Sequence, residues 1–149
     1  MKIAVFGLGY VGMSNAVLLA QHNQVVAVDI SAERVAMVNA RQAPIIDAEL
    51  ERFLVERTLD LTATTDAAAA LTGADYVIVA TPTNYDVETD KFNTGSVEAV
   101  IKLAVDHAPQ ATVVIKSTIP VGFVDDVRAR LNAPNVVFSP EFLREGRAL

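Results

Sequence analysis

The chain has 149 residues, 52% of them hydrophobic, no cysteine and a formal net charge of −6. That length fits one domain with a sizeable core, and the hydrophobic content excludes a disordered chain. The missing cysteines exclude disulfides, thiolate zinc sites and a cysteine nucleophile within this stretch, and the acidity disfavours nucleic acid or an anionic membrane as partner.

No apolar run reaches the roughly 18 residues of a membrane span. Gly7 interrupts the N-terminal run before a signal-peptide core can form, so a cytoplasmic setting is expected.

The first predicted strand, 2–6, runs straight into Gly7-Leu8-Gly9-Tyr10-Val11-Gly12, and a helical pattern over 10–22 follows. A Gly-x-Gly-x-x-Gly turn between strand and helix lets a backbone approach a pyrophosphate. The first glycine turns tightly, the second leaves room for phosphate, and the third lets helix and strand pack closely. The free N–H groups at the helix start, aided by the helix dipole, then face the anion.

A second strand, 24–29, ends at Asp29, 22 residues after Gly7. That is near the roughly 20-residue offset of the acid that takes the adenosine ribose hydroxyls. The alternative is that Asp29 only ends the strand or caps the helix predicted over 31–41. Arg34 on that helix is either a solvated residue, a contact to the ribose, or a partner for the 2′-phosphate of NADP. The Asp29 carboxylate would repel such a phosphate, so NAD is the expected cofactor.

Further helices are predicted over 47–56, where Asp47 caps, and over 66–72, 96–107 and 121–132, with Ser96 a candidate cap for the third of these. Strands are predicted over 61–63, 75–80, 112–116 and 135–138. Their apolar runs, such as Tyr76-Val77-Ile78-Val79-Ala80, are continuous, as expected of strands buried on both faces. This rhythm predicts an α/β, Rossmann-type doubly wound parallel sheet of six strands in the order 3-2-1-4-5-6. Residues 81–95 show no helical period and read as a long loop at the carboxyl edge of the sheet, where such folds bind ligands.

Three polar segments leave strands at that edge: Thr81-Pro82-Thr83, Lys116-Ser117-Thr118, and Ser139-Pro140-Glu141-Phe142-Leu143-Arg144-Glu145-Gly146. Thr83 and Thr118 are compatible with simple turns, and the last segment with a capped helix start stopping at Gly146. Their shared location favours a site. His22 and His107 fall near predicted helix ends, away from this edge. No His, Asp and Glu spacing suits a metal.

Taken together and in order, the glycine turn, Pro44-Ile45-Ile46-Asp47, Thr81-Pro82-Thr83 with Asn84-Tyr85-Asp86, Lys116 to Gly122, and Ser139 to Gly146 resemble the nucleotide-sugar dehydrogenases, in particular their UDP-glucose-oxidising branch. The resemblance covers the whole chain. It implies a four-electron oxidation in which the C6 alcohol of UDP-glucose becomes a carboxylate and two NAD⁺ become NADH. GDP-mannose and UDP-N-acetylmannosamine are the alternative substrates within the family. It also implies that Val11, Asp29, Arg34, Thr83, Thr118 and Glu145 lie near NAD, beside the glycine turn with Tyr10. Glu141, Phe142, Leu143, Arg144 and Glu145 would line the sugar side, and Thr118 with Glu141 would hold a water.

In that family a cysteine traps the aldehyde as a thiohemiacetal, which is oxidised to a thioester and hydrolysed. With no cysteine here, the expectation is an N-terminal NAD-binding domain, 1–149. The nucleophile, its neighbouring lysine and asparagine, the UDP-binding domain and the elements that make a homodimer would then follow it. Such a domain alone would not turn over UDP-glucose. The contrasting expectation is a stand-alone NAD-binding or sensor module.

Overall fold

The computed structural model describes residues 1–86 and 91–143. Among these, six parallel strands form one sheet: β1 (Lys2–Phe6), β2 (Gln24–Val28), β3 (Leu61–Thr64), β4 (Tyr76–Val79), β7 (Thr112–Ile115) and β8 (Val136–Phe138). Their order across the sheet is β3-β2-β1-β4-β7-β8. Counting sheet strands alone, that is the predicted 3-2-1-4-5-6.

Two short strands, β5 (Asn84–Asp86) and β6 (Lys91–Asn93), pair antiparallel within the stretch predicted to be a loop. The expectation of an irregular segment is corrected there. Each strand is only three residues, Asn84-Tyr85-Asp86 and Lys91-Phe92-Asn93, too short for one aromatic between polar residues to read as a period.

Helices α1 (Tyr10–Ala20), α2 (Ala32–Asn39) and α3 (Ala48–Glu56) cover one face of the sheet. The other carries α4 (Ala67–Leu71), α5 (Gly95–His107) and α6 (Phe123–Leu131). The strand residues divide accordingly. Ile3 and Val5 pack with Met13, Val17, Leu50 and Leu54, whereas Ala4 and Phe6 join the cluster of Leu71, Val97, Ile101 and Val127. Burial on both faces is why the strands read as unbroken apolar runs.

The caps explain several helix starts. Asp47, 1% exposed, accepts from Glu49 N and Leu50 N at 3.0 and 3.1 Å, as its spacing predicts. Ser31 accepts from Arg34 N at 3.3 Å. Ser96 does not cap α5, which begins one residue earlier after Thr94. Its hydroxyl instead donates back to Pro82 O at 2.8 Å and lies 3.1 Å from Thr81 Oγ1. Among the described residues no helix is long and apolar enough to cross a membrane.

Candidate functional site

The strand register sets the geometry of the site. Phe6 pairs with both Val28 and Val79, Val79 with Ile115, and Ile115 with Phe138. These strands therefore end level, and the next residues, Asp29, Gly7, Ala80, Lys116 and Ser139, form a row along the carboxyl edge. Backbone bonds extend the sheet by one step here: Gly7 N to Val28 O, Ala80 N to Phe6 O, Lys116 N to Val79 O and Ser139 N to Ile115 O. In a doubly wound sheet the ligand crevice opens at this edge, where the chain order reverses between β1 and β4.

At that point lies the glycine turn. Gly7 has φ +96°, and a Cβ there would stand 2.5 Å from Ala80 O. A Cβ on Gly12 would stand 1.7 Å from Gly7 O, so helix and turn touch backbone to backbone. Gly9 is different: nothing lies within 4 Å of where its Cβ would be. The space there is open, as the approach of a pyrophosphate would require.

Gly9 also precedes α1 without a side-chain cap, and the first turn of α1 holds no acid. The N–H groups of Tyr10, Val11 and Gly12 have no acceptor within the helix. With the positive end of the dipole, they make the start of α1 a place suited to an anion. Tyr10 is half-buried and its hydroxyl donates to Ile46 O at 3.3 Å, tying the helix start to the connection between α2 and α3.

Asp29 closes the turn from the β2 side. Its Oδ2 accepts from Leu8 N and its Oδ1 from Ser31 N, both at 2.9 Å. An ionised carboxylate has about four acceptor positions, so one on each oxygen remains for a ribose diol. In the structure Asp29 thus braces the glycine turn through Leu8 N and its own connection through Ser31 N. Arg34 is exposed, and its guanidinium pairs with no described carboxylate. Ile30 stands fully in solvent beside Asp29.

On the other side of the crevice, Thr83 is half-buried and Thr118 exposed. The Thr81-Pro82-Thr83 turn is held by Ser96 and by Ser117, whose Oγ donates to Thr81 O at 2.7 Å. Lys116, which the sequence reading gave no role, donates to Ser139 Oγ at 3.1 Å and to Glu141 Oε2 at 3.2 Å. Glu141 Oε1 accepts from Phe142 N at 3.0 Å. Residues 139–143 form no helix, so the capped-helix alternative does not hold for that stretch. Phe142 is exposed and Leu143 half-buried, whereas Arg144, Glu145 and Gly146 lie outside the described residues.

His22 lies at the opposite, amino edge, in a concavity of about 600 Å³ with Met1, Asn23, Thr58 and Asp60. The expectation that it stands away from the ligand edge agrees with this position.

The comparisons with known proteins agree with this geometry. The model of the UDP-glucose/GDP-mannose dehydrogenase family, NAD binding domain, matches residues 1–149. The chain belongs to that family. Its cofactor is therefore NAD, which suits the open glycine turn and the bracing carboxylate, and the family is one of oxidoreductases. The chain is 50% identical over its whole length to UDP-glucose 6-dehydrogenase of Streptococcus pneumoniae, covering 38% of that protein. It is 41% identical to UDP-glucose 6-dehydrogenase of Campylobacter jejuni, again covering all of this chain and 38% of the relative. Among solved structures, UDP-D-ManNAc dehydrogenase from Pyrococcus horikoshii superposes with a TM-score of 0.88 at 30% identity, over 99% of this chain and 38% of that one. The chain thus spans about two fifths of the length of the family members it matches.

Proposed function

We propose that this is the cofactor domain of an NAD-dependent UDP-glucose 6-dehydrogenase, which oxidises the C6 alcohol of UDP-glucose to a carboxylate. The observation that supports the substrate is the 50% identity, across every part of the chain, to a relative with that name. The level strand edge supports the chemistry, because it brings a pyrophosphate cradle and a carboxylate–lysine pair to one crevice.

NAD when bound supplies a hydride acceptor. The chain's own residues bind and orient it. The N–H groups of Tyr10, Val11 and Gly12 hold the pyrophosphate beside Gly9, and Asp29 accepts from the adenosine ribose hydroxyls. Ile30 offers an apolar contact to the purine face, with Arg34 flanking the ribose. Thr83 and Thr118 flank the nicotinamide end. Thr118 and Glu141 hold a water for proton transfer, and Glu141, Phe142 and Leu143 line the sugar side, a role also proposed for Arg144 and Glu145, which lie outside the described residues. The remaining parts of the longer protein would supply the nucleophile, the uridine site and the dimer interface.

A second reading, a mannose-type substrate, is supported by the family's own breadth and by the P. horikoshii superposition. The test is to assay the full-length gene product with UDP-glucose, GDP-mannose and UDP-N-acetylmannosamine, following NADH. A clear preference for UDP-glucose, with two NADH per product, is expected, and preference for a mannose-type sugar overturns the proposal. Calorimetric titration of residues 1–149 with NAD and NADP tests the cofactor half separately, with NAD expected to bind more tightly.

A further inference from the structure

Lys116 stands between Ala80 and Ser139 in the row at the carboxyl edge, one residue beyond β7. Its ammonium reaches across to the segment leaving β8, meeting Glu141 Oε2 at 3.2 Å and Ser139 Oγ at 3.1 Å. The pair is largely withdrawn from water, with side-chain exposures of 15% for Lys116 and 22% for Glu141. The fold does not depend on it for pairing these strands. Three register pairs already join β7 to β8, and Ser139 N continues the ladder to Ile115 O.

What the pair does fix is the carboxylate. Glu141 is held at both oxygens, by Lys116 on Oε2 and by Phe142 N on Oε1. A glutamate has three rotatable side-chain bonds and, left free, would sample many positions. Clamped at two points, it presents its remaining acceptor positions in one direction. Groups that must meet a reacting atom gain from this, because a displacement of about 1 Å can cost roughly 100-fold in rate.

We infer that Lys116 is a positioning residue for Glu141, acting on the reaction through that carboxylate rather than by touching substrate. The inference rests on the site being that of a nucleotide-sugar dehydrogenase.

The test uses the full-length gene product with UDP-glucose and NAD. Lys116→Met is expected to lower kcat roughly 10- to 100-fold. KM for UDP-glucose, NAD affinity and Tm should stay near wild type, a split that general loosening of the domain would not produce. Glu141→Gln alone is expected to lower kcat about 10²- to 10⁴-fold. Adding Lys116→Met to it should change kcat by less than about twofold, since the lysine then has no carboxylate to position. Lys116→Arg, which keeps the cation, should recover most of the activity lost in Lys116→Met. Multiplying effects in the double variant, or an Arg variant as slow as the Met variant, would overturn the inference. Wild-type kcat in Lys116→Met would overturn it while leaving the proposed function standing. A wild-type protein that binds NAD but oxidises no nucleotide sugar would remove the proposed function, and this inference with it.

Discussion

The two halves of the crevice are built by different means. On the β1–β2 side the cradle is backbone against backbone: Gly12 touches Gly7, Gly7 touches Ala80, and Asp29 closes the turn by accepting two N–H groups. On the β4–β7–β8 side the loops are held by side chains, with Ser96 and Ser117 gripping the 81–83 turn and Lys116 gripping Glu141. Exposed apolar side chains stand on both sides, Ile30 and Ile46 on the first and Val121 and Phe142 on the second, so they do not separate the two. The difference separates a cradle locked through its backbone from a half-wall held by side chains. Substitutions should therefore act through folding on the first side and through local positioning on the second.

The sharpest way to break this comparison is Gly12→Ala. The added methyl would meet a backbone carbonyl at 1.7 Å, and a carbonyl in a turn has no rotamer to move aside. A loss of about 3–5 kcal/mol of stability is expected, in the range reserved for severe steric mechanisms. A urea midpoint close to wild type would show that the helix and turn are not locked together.

Gly9→Val separates binding from folding on the same turn. Its backbone, at φ −82° and ψ −169°, is open to any residue, and its Cβ has nothing within 4 Å. Stability should change by less than about 1 kcal/mol. NAD affinity should fall more than about 100-fold, or about 2.7 kcal/mol, because the side chain fills the pyrophosphate's space. Undiminished NAD binding by calorimetry would place the phosphates elsewhere.

Asp29 tests whether one residue does both jobs. Asp29→Ala should weaken NAD by about 1.5–3 kcal/mol, the range for hydrogen bonds to a charged group. It should also lower stability, because the part-buried Leu8 N–H loses its acceptor. Asp29→Asn retains one acceptor oxygen and should recover part of the stability. Equal Tm values for the Ala variant and wild type would mean the bracing bonds carry no weight.

Sequence reasoning captured the first side of the crevice more completely than the second, and the physical reason follows from this construction. A backbone cradle must be written in residue types that no other residue replaces, so Gly7, Gly9, Gly12 and the acid at 29 stand out by spacing alone. The strand order was legible because burial on both faces forces continuous apolar runs. A side-chain scaffold leaves a fainter trace. Ser96 looked like a cap, because a serine at a helix start is usually one, yet it bonds to a turn 14 residues earlier. Lys116 and Glu141 are 25 residues apart, and only the level ends of β7 and β8 bring them together. The pairing of 84–86 with 91–93 was missed because strands of three residues are too short to show a period.

Ser117→Ala is the mildest of these tests and probes the side-chain scaffold itself. Ser117 is 8% exposed, and its hydroxyl donates to Thr81 O at 2.7 Å and lies 3.3 Å from Val79 O. Val79 O keeps its bonds from Lys116 N and Ser117 N, so only the link to the 81–83 turn is lost. A stability loss of about 0.5–1.5 kcal/mol is expected, the usual net worth of one hydrogen bond. If the second side is held by side chains, this small change should raise amide exchange at Thr81 and Thr83 while leaving exchange at Gly7 to Gly12 unaltered. Equal acceleration on both sides would mean that the crevice moves as one unit, and the contrast between a locked cradle and an adjustable half-wall would not stand.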